Sequence, residues 1–447
     1  MTQIAEPPVP TAPQSSTPPA PPVRPRRPRL KGIDLARGLA IIGMFGAHTL
    51  VTERIGWDPS TWAAVVHGRS SILFATLAGV SLALMSGGHR AVSGEALRDA
   101  RTRVLVRAAL IYALGAVLAA FDSVIVILEV YAVLLVIALP FLRWSPRRLF
   151  VLAGALAVVG PIVQWLLMDV FGAWEVYPTG FLDIMFAGTY PGVVWISFVL
   201  LGLGVGRLDL TSRAVRARLV AVGLLLAVAG YAGGWASARA AGVQLDPFMD
   251  SSSGPSSDWL GSSSSDVDSL SSDGADPYDK GVPGETIDLS DSTCYPDTEG
   301  FVYCEPSSRS ESGADEWDDE KGKGLDLSVG LTTLVGAEPH SGTTFEVVGS
   351  SGVALLLIGL CLLAPRPVRR VLHPVAAAGT MALTLYALHI VALSLGGPWV
   401  EDRTTLFFGL LVAGALVVAV VWKRWLGQGP LERLVSVVSR RGAMPGR

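Results

Sequence analysis

Long apolar runs recur along the chain, near 33–52, 70–86, 104–121, 123–142, 149–168, 189–206, 218–239, 346–364, 374–395 and 404–422. About 20 residues of helix cross the hydrocarbon of a bilayer. The sequence therefore predicts an all-α polytopic membrane protein with about ten transmembrane helices. Composition agrees: 50% of residues are hydrophobic and only 16% charged, where a soluble domain carries about a quarter. An ordinary cytosolic enzyme does not fit that deficit.

The net charge of −3 hides a partition. Residues 245–338 hold 22 of the 38 acidic residues and 4 of the 35 basic ones, so an acidic insert of −18 hangs on a body of +15. Neither part suggests nucleic-acid binding, because the basic residues are scattered between apolar runs and the insert is acidic. With the N-terminus inside, the inner segments collect 25 Lys and Arg, whereas the short outer loops hold only Arg54, Arg69 and Arg403. Positive residues stay on the cytoplasmic side, so both termini are expected in the cytoplasm.

Five regions follow. Residues 1–30 form a Pro- and Arg-rich cytoplasmic tail, with ten prolines in the first 29 positions, a composition that stays disordered. Residues 31–240 contain the first seven helices, 241–338 a long, disordered, acidic Ser/Asp-rich outer loop, 339–424 the last three helices, and 425–447 a basic cytoplasmic tail. No cleavable signal peptide is expected, since the first apolar run carries Arg37 and His48 and lacks a clean small-residue cleavage site. The chain has no Asn and hence no N-glycosylation site. Cys294 and Cys304, outside in an oxidising compartment, are candidates for a small disulfide loop, two unpaired thiols being the other reading. No segment has EF-hand spacing, and no metal site is predicted.

Ionisable residues within membrane helices are costly and therefore point to function. His48 ends the first helix, His67 precedes the second, His340 precedes the eighth, and His389 lies in the outer part of the ninth. Glu129 falls in the outer third of the fourth helix, and Arg69 stands beside His67. Such a cluster at the outer face suits acid–base chemistry. Each member also has a structural reading: His67 and His340 as solvated loop residues, His389 as interhelical glue, Glu129 as a buried protonated carboxyl. Eleven residues separate Arg37 from His48, which places them within about 20° on one helix face and roughly 16 Å apart along the axis. An anion-binding point inside would thus share a face with a proton acceptor outside. Arg37 snorkelling to inner headgroups, with His48 at the outer interface, fits the spacing equally well.

Leu35-Ala36-Arg37-Gly38-Leu39 followed by His48 resembles the motif opening the first helix of membrane acyltransferases, including the acyltransferase type 3 proteins. More closely, Gly32-Ile33-Asp34 with Arg37-Gly38, His67-Gly68-Arg69, Leu73-Phe74 and Ala78-Gly79 resemble the bacterial form of the heparan-α-glucosaminide N-acetyltransferase catalytic domain. Ile127-Leu128 with Tyr131-Ala132, Gly188-Thr189-Tyr190-Pro191, Leu201-Gly202 with Gly206-Arg207, Pro339-His340-Ser341-Gly342-Thr343 and Gly379-Thr380-Met381-Ala382-Leu383-Thr384 with Tyr386 are similar to the same group. The resemblance runs from residue 29 to about 395 and leaves out the tail, the insert and the last helix.

The resemblance implies transfer of an acetyl or similar acyl group from cytoplasmic acyl-CoA to a hydroxyl or amine of an extracytoplasmic glycan or glycolipid. It implies a multi-pass protein of the bacterial plasma membrane, with the bilayer, acyl-CoA and the glycan as partners and a second copy of the chain as a further candidate. His48, Arg37 and Glu129 are then the expected catalytic residues, with His48 either a general base or a transient acyl carrier. Arg37, Arg98 and Arg101 are expected at the CoA phosphates, and His67, Arg69, His340, Tyr386 and His389 at the acceptor. The rival class is a secondary transporter or lipid exporter, which Pro161 and many intramembrane glycines would suit through discontinuous helices; no internal repeat supports it. A non-catalytic envelope scaffold working through the acidic insert is a third.

Overall fold

The computed structural model describes residues 30–50, 59–121, 124–174, 178–242, 333–397, 399–400 and 403–442, and the backbone of 292–296 and 302–306. The expectations of disorder for the N-terminal tail and for most of the acidic insert, together with Arg54, lie outside the described residues. The helices are α1 (Lys31–Thr49), α2 (Arg69–Met85), α3 (Glu95–Ala119), α4 (Leu128–Ile137), α5 (Pro146–Ala173), α6 (Phe181–Phe186), α7 (Gly192–Gly206) and α8 (Arg213–Ala240). After the insert follow α9 (Thr344–Leu363), α10 (Arg366–Val371), α11 (His373–Ala378), α12 (Ala382–Gly396), α13 (Thr404–Trp425) and α14 (Pro430–Gly442). Within the insert, β1 (Ser292–Pro296) and β2 (Val302–Pro306) pair antiparallel, with Cys294 opposite Cys304 in the register.

Among the described residues seven segments are long and apolar enough to cross a membrane, where the sequence offers ten apolar runs. The differences have local causes. Asp34, Arg37 and His48 lower the hydropathy of α1, although its 19 residues have the length. The run at 123–142 yields only the ten residues of α4, followed by a 3₁₀ turn at Leu139–Arg143 containing Pro140, whose missing N–H ends the helix. The run at 374–395 is a single span interrupted by a 3₁₀ turn at Gly379–Met381 between α11 and α12. The expected basic tail after residue 425 contains the amphipathic helix α14, which packs on α3 and α12.

The spanning segments sort into two sets. Those containing α2, α9 and α11–α12 are 61–67% buried, whereas α3, α5, α8 and α13 are 17–28% buried. The second set presents Val151, Leu225, Val417 and similar side chains outward, the surface expected against lipid. Without water to drive helices together in lipid, close backbone packing takes over. A Cβ on Gly202 of α7 would run into the Thr76 carbonyl of α2, and one on Gly379 into the Asp34 carbonyl of α1. Arg207, at the end of α7, clasps the end of α2 and the turn after α4: it donates to the carbonyls of Ala83, Ser86, Gly88 and Leu142 and to Ser86 Oγ. These contacts place α1 between α2 on one side and α11–α12 on the other.

Candidate active site

The C-terminal end of α1 meets α12 through two imidazoles. His48 Nδ1 lies 2.9 Å from His389 Nε2, with the rings stacked at 5.2 Å and 14°. His389 Nδ1 contacts the Tyr386 carbonyl oxygen, one turn back on its own helix. A carbonyl only accepts, so His389 Nδ1 carries the hydrogen and Nε2 the lone pair. His48 Nδ1 must then donate to it, and His48 Nε2 is left as a lone pair. Phe45 and Tyr386 pack against the His389 ring, with centroids 4.9 and 5.0 Å away. His389 is fully buried, which favours this neutral, fully bonded arrangement.

The loop before α9 brings the next groups. Thr343 caps α9 by accepting from the Glu346 N–H at 3.1 Å, and the Glu346 carboxylate reaches back to the N–H groups of His340 and Gly342, each at 2.7 Å. This reciprocal cap stabilises the turn in which His340 adopts a left-handed backbone, φ 66°. The His340 ring is edge-on to Tyr190 at 5.4 Å, contacts the Thr189 carbonyl, and leaves Nδ1 buried without a hydrogen-bond partner. Burial first, and after it the charges of His67, His48 and Arg69, push the imidazole down to about 4. His340 is neutral at pH 7.

His67 shows the same pattern: it bonds the Leu50 backbone, and its Nε2 is buried with no partner. Arg69, two residues on, donates through Nε to Tyr231 Oη at 2.9 Å and lies over that ring at 4.8 Å. Tyr231 Oη in turn meets Ser350 Oγ at 2.8 Å, tying Arg69 to α8 and α9. The Tyr386 hydroxyl is also buried, beside the Ile127 backbone. Three imidazole nitrogens with lone pairs (His48 Nε2, His67 Nε2 and His340 Nδ1) therefore belong to one electrostatically connected group.

The structure thus gathers His48, His67, Arg69, His340, Tyr386 and His389. Glu129 lies where α4 crosses α3, its side chain against Gly115. Arg37 lies toward the other end of α1 and donates to Ser81 Oγ at 2.8 Å and Asp34 Oδ1 at 3.3 Å. Arg98 is exposed in the first turn of α3, and Arg101 is half-buried with its Nε unpartnered. Among the described residues no group of three or more His, Cys, Asp or Glu is placed to hold a metal ion. Glu346 and Tyr231 have no place in the sequence-based site. Thr343-x-x-Glu346 before an apolar run is a capping-box signal from which the former was readable; Tyr231, in mid-helix, carries none.

Residues 29–233 match the family described as heparan-α-glucosaminide N-acetyltransferase, catalytic, and residues 333–441 match a protein family of unknown function, DUF418. No curated protein and no solved structure matches the chain. The first match takes in α1 to most of α8 and the second α9 to α14, so the His48–His389 bond crosses from one to the other. Residues 29–233, a little under half of the chain, thus resemble the catalytic domain of heparan-α-glucosaminide N-acetyltransferase, in a chain whose described residues include seven helices long and apolar enough to cross a membrane.

Proposed function

We propose that the protein transfers an acetyl or similar acyl group from acyl-CoA to a hydroxyl or amine of an extracytoplasmic glycan or glycolipid, with His48 Nε2 as the general base. One observation carries this reading: the chain from His48 through His389 to the Tyr386 carbonyl, which leaves His48 Nε2 as a lone pair. As the acceptor oxygen or nitrogen attacks the thioester carbonyl, His48 Nε2 takes its proton. His389 supports the imidazolium that forms, as the third member of a nucleophile–base–orienter arrangement does. Collapse of the tetrahedral intermediate breaks the C–S bond, and His48 returns the proton to the departing CoA thiolate. Arg69 stabilises the oxyanion. The buried lone pairs of His67 and His340, with the Tyr386 hydroxyl, receive and orient the acceptor's O–H or N–H groups.

Arg37, Arg98 and Arg101 hold the CoA phosphates at the inner side by charge-assisted hydrogen bonds. The Lys and Arg bias of the segments supports a bacterial plasma-membrane protein with both termini inside. The interruption between α11 and α12 is the feature a transporter would share. Its backbone N–H groups are, however, met by the chain's own Glu432. The test is incubation of the purified protein with radiolabelled acetyl-CoA and an envelope extract. Wild type labels the extract and His48→Ala does not; failure of wild type to bind acetyl-CoA or to transfer label overturns the proposal.

A further inference from the structure

The span at 373–396 breaks at Gly379–Met381, and α12 starts afresh with Met381 at its N-cap, φ −133°, offering no side-chain cap. The first N–H groups of a helix have no partner within it, and leaving them unmet at membrane depth is costly. They are met from 49 residues away. Glu432, in the first turn of α14, accepts from Leu383 N at 2.7 Å and Thr384 N at 3.2 Å through Oε1, and from Thr384 Oγ1 at 2.7 Å through Oε2. Thr384 Oγ1 also accepts from Leu431 N at 3.2 Å. Gly429 lets the two chains approach this closely, since a Cβ there would lie 2.6 Å from Met381 Cβ and 2.9 Å from Thr384 Oγ1. Arg107 of α3 faces the carboxylate electrostatically. The negative charge also suits the positive end of the α12 dipole.

We infer that Glu432 is a positioning residue for the His48–His389 pair, acting through the axial register of α12. His389 lies five residues above Thr384, roughly 7.5 Å along the helix. A slip of α12 by a single residue moves His389 by about 1.5 Å and turns it by about 100°, which abolishes the 2.9 Å bond to His48. The C-terminal helix, outside the acetyltransferase match, thereby sets the site's geometry from the opposite end of α12. The catalytic consequence rests on the proposal that His48 is the base; the register itself does not.

The register is read without turnover by pairing His48→Cys with His389→Cys in a chain whose Cys294, Cys304 and Cys361 are alanine, and timing closure by a short bifunctional thiol reagent in membranes. Glu432→Ala slows cross-linking about tenfold, the scale of a lost helix cap, and Glu432→Gln slows it less because one acceptor is kept. In the otherwise native chain, Glu432→Ala lowers kcat in the same proportion and leaves KM for acyl-CoA unchanged. A Glu432→Ala protein that elutes as wild type does and cross-links at the wild-type rate overturns the inference. Should that variant fail to fold, wild-type cross-linking in Glu432→Gln overturns it as well. If cross-linking slows while wild type transfers no acyl group, the positioning role stands and the acyltransferase reading falls.

Discussion

His48 Nδ1 and His389 Nε2 stand 2.9 Å apart, and with that contact residues 29–233 and 333–441 share one site. The two helices arrive there by different means. α1 is a continuous helix held against its neighbours by glycine contacts, while α12 begins inside a broken span and is fastened at its base by Glu432. The His48–His389 contact therefore depends on how α12 is fastened at its own start.

His340 gives a pH signature. Its imidazole titrates at about 4 in the folded protein, against an ordinary value of 6.5. Between those values the unfolded chain binds a proton that the folded chain does not. Stability therefore falls as pH drops from about 6.5 to about 4 and is complete above that window, a difference of about 3 kcal/mol at full extent. His340→Gln removes this component. Thermal melts in detergent across about pH 7 to 4 should show a shallower decline for the variant; parallel declines would rule out the assignment.

Gly379 and Gly154 make a paired test of packing. A Cβ at Gly379 collides with the Asp34 carbonyl, whereas one at Gly154 meets nothing within 4 Å. Gly379→Ala should cost about 1–3 kcal/mol through overpacking, and it pushes α1 away from the α11–α12 turn. Gly154→Ala should match wild type in melting temperature and in acyl transfer. Equal behaviour of the two variants would show that α1 tolerates movement at this crossing.

Cys294 and Cys304 occupy opposed positions in the β1–β2 register. Directly opposed residues of an antiparallel pair have Cα atoms about 4.5–5.5 Å apart, within the range a disulfide bridges. In an oxidising compartment they should be joined. Mass spectrometry of non-reduced peptides from protein alkylated in intact cells should find the pair cross-linked. Two alkylated thiols would contradict both the bridge and an outer location for the insert.

Much of the site was legible because it lies in local pattern. Arg37 and His48 share a face through helical spacing alone, and His67-Gly68-Arg69 and His389 stand out as polar residues beside or within apolar runs. The interruption at Gly379–Met381 was not legible, because a continuous apolar run hides it and its cap, Glu432, comes from a segment that reads as a basic tail. Hydropathy responds to apolar content and is blind to the 3₁₀ turn at Pro140 that shortens α4. That Glu129 packs beside Gly115 of α3 is a matter of tertiary packing, which local pattern does not carry.

In the proposed reaction His48 and His389 act as one unit. A double-mutant cycle on kcat, with labelled acetyl-CoA and an envelope acceptor, addresses this directly. His48→Ala should lower the rate by about 10²–10⁴, the range of a general base. His389→Ala should cause a large share of that loss, and the double variant should be little worse than His48→Ala alone, the non-additivity of groups acting together. Losses that simply multiply, or full activity in His389→Ala, would contradict the claim.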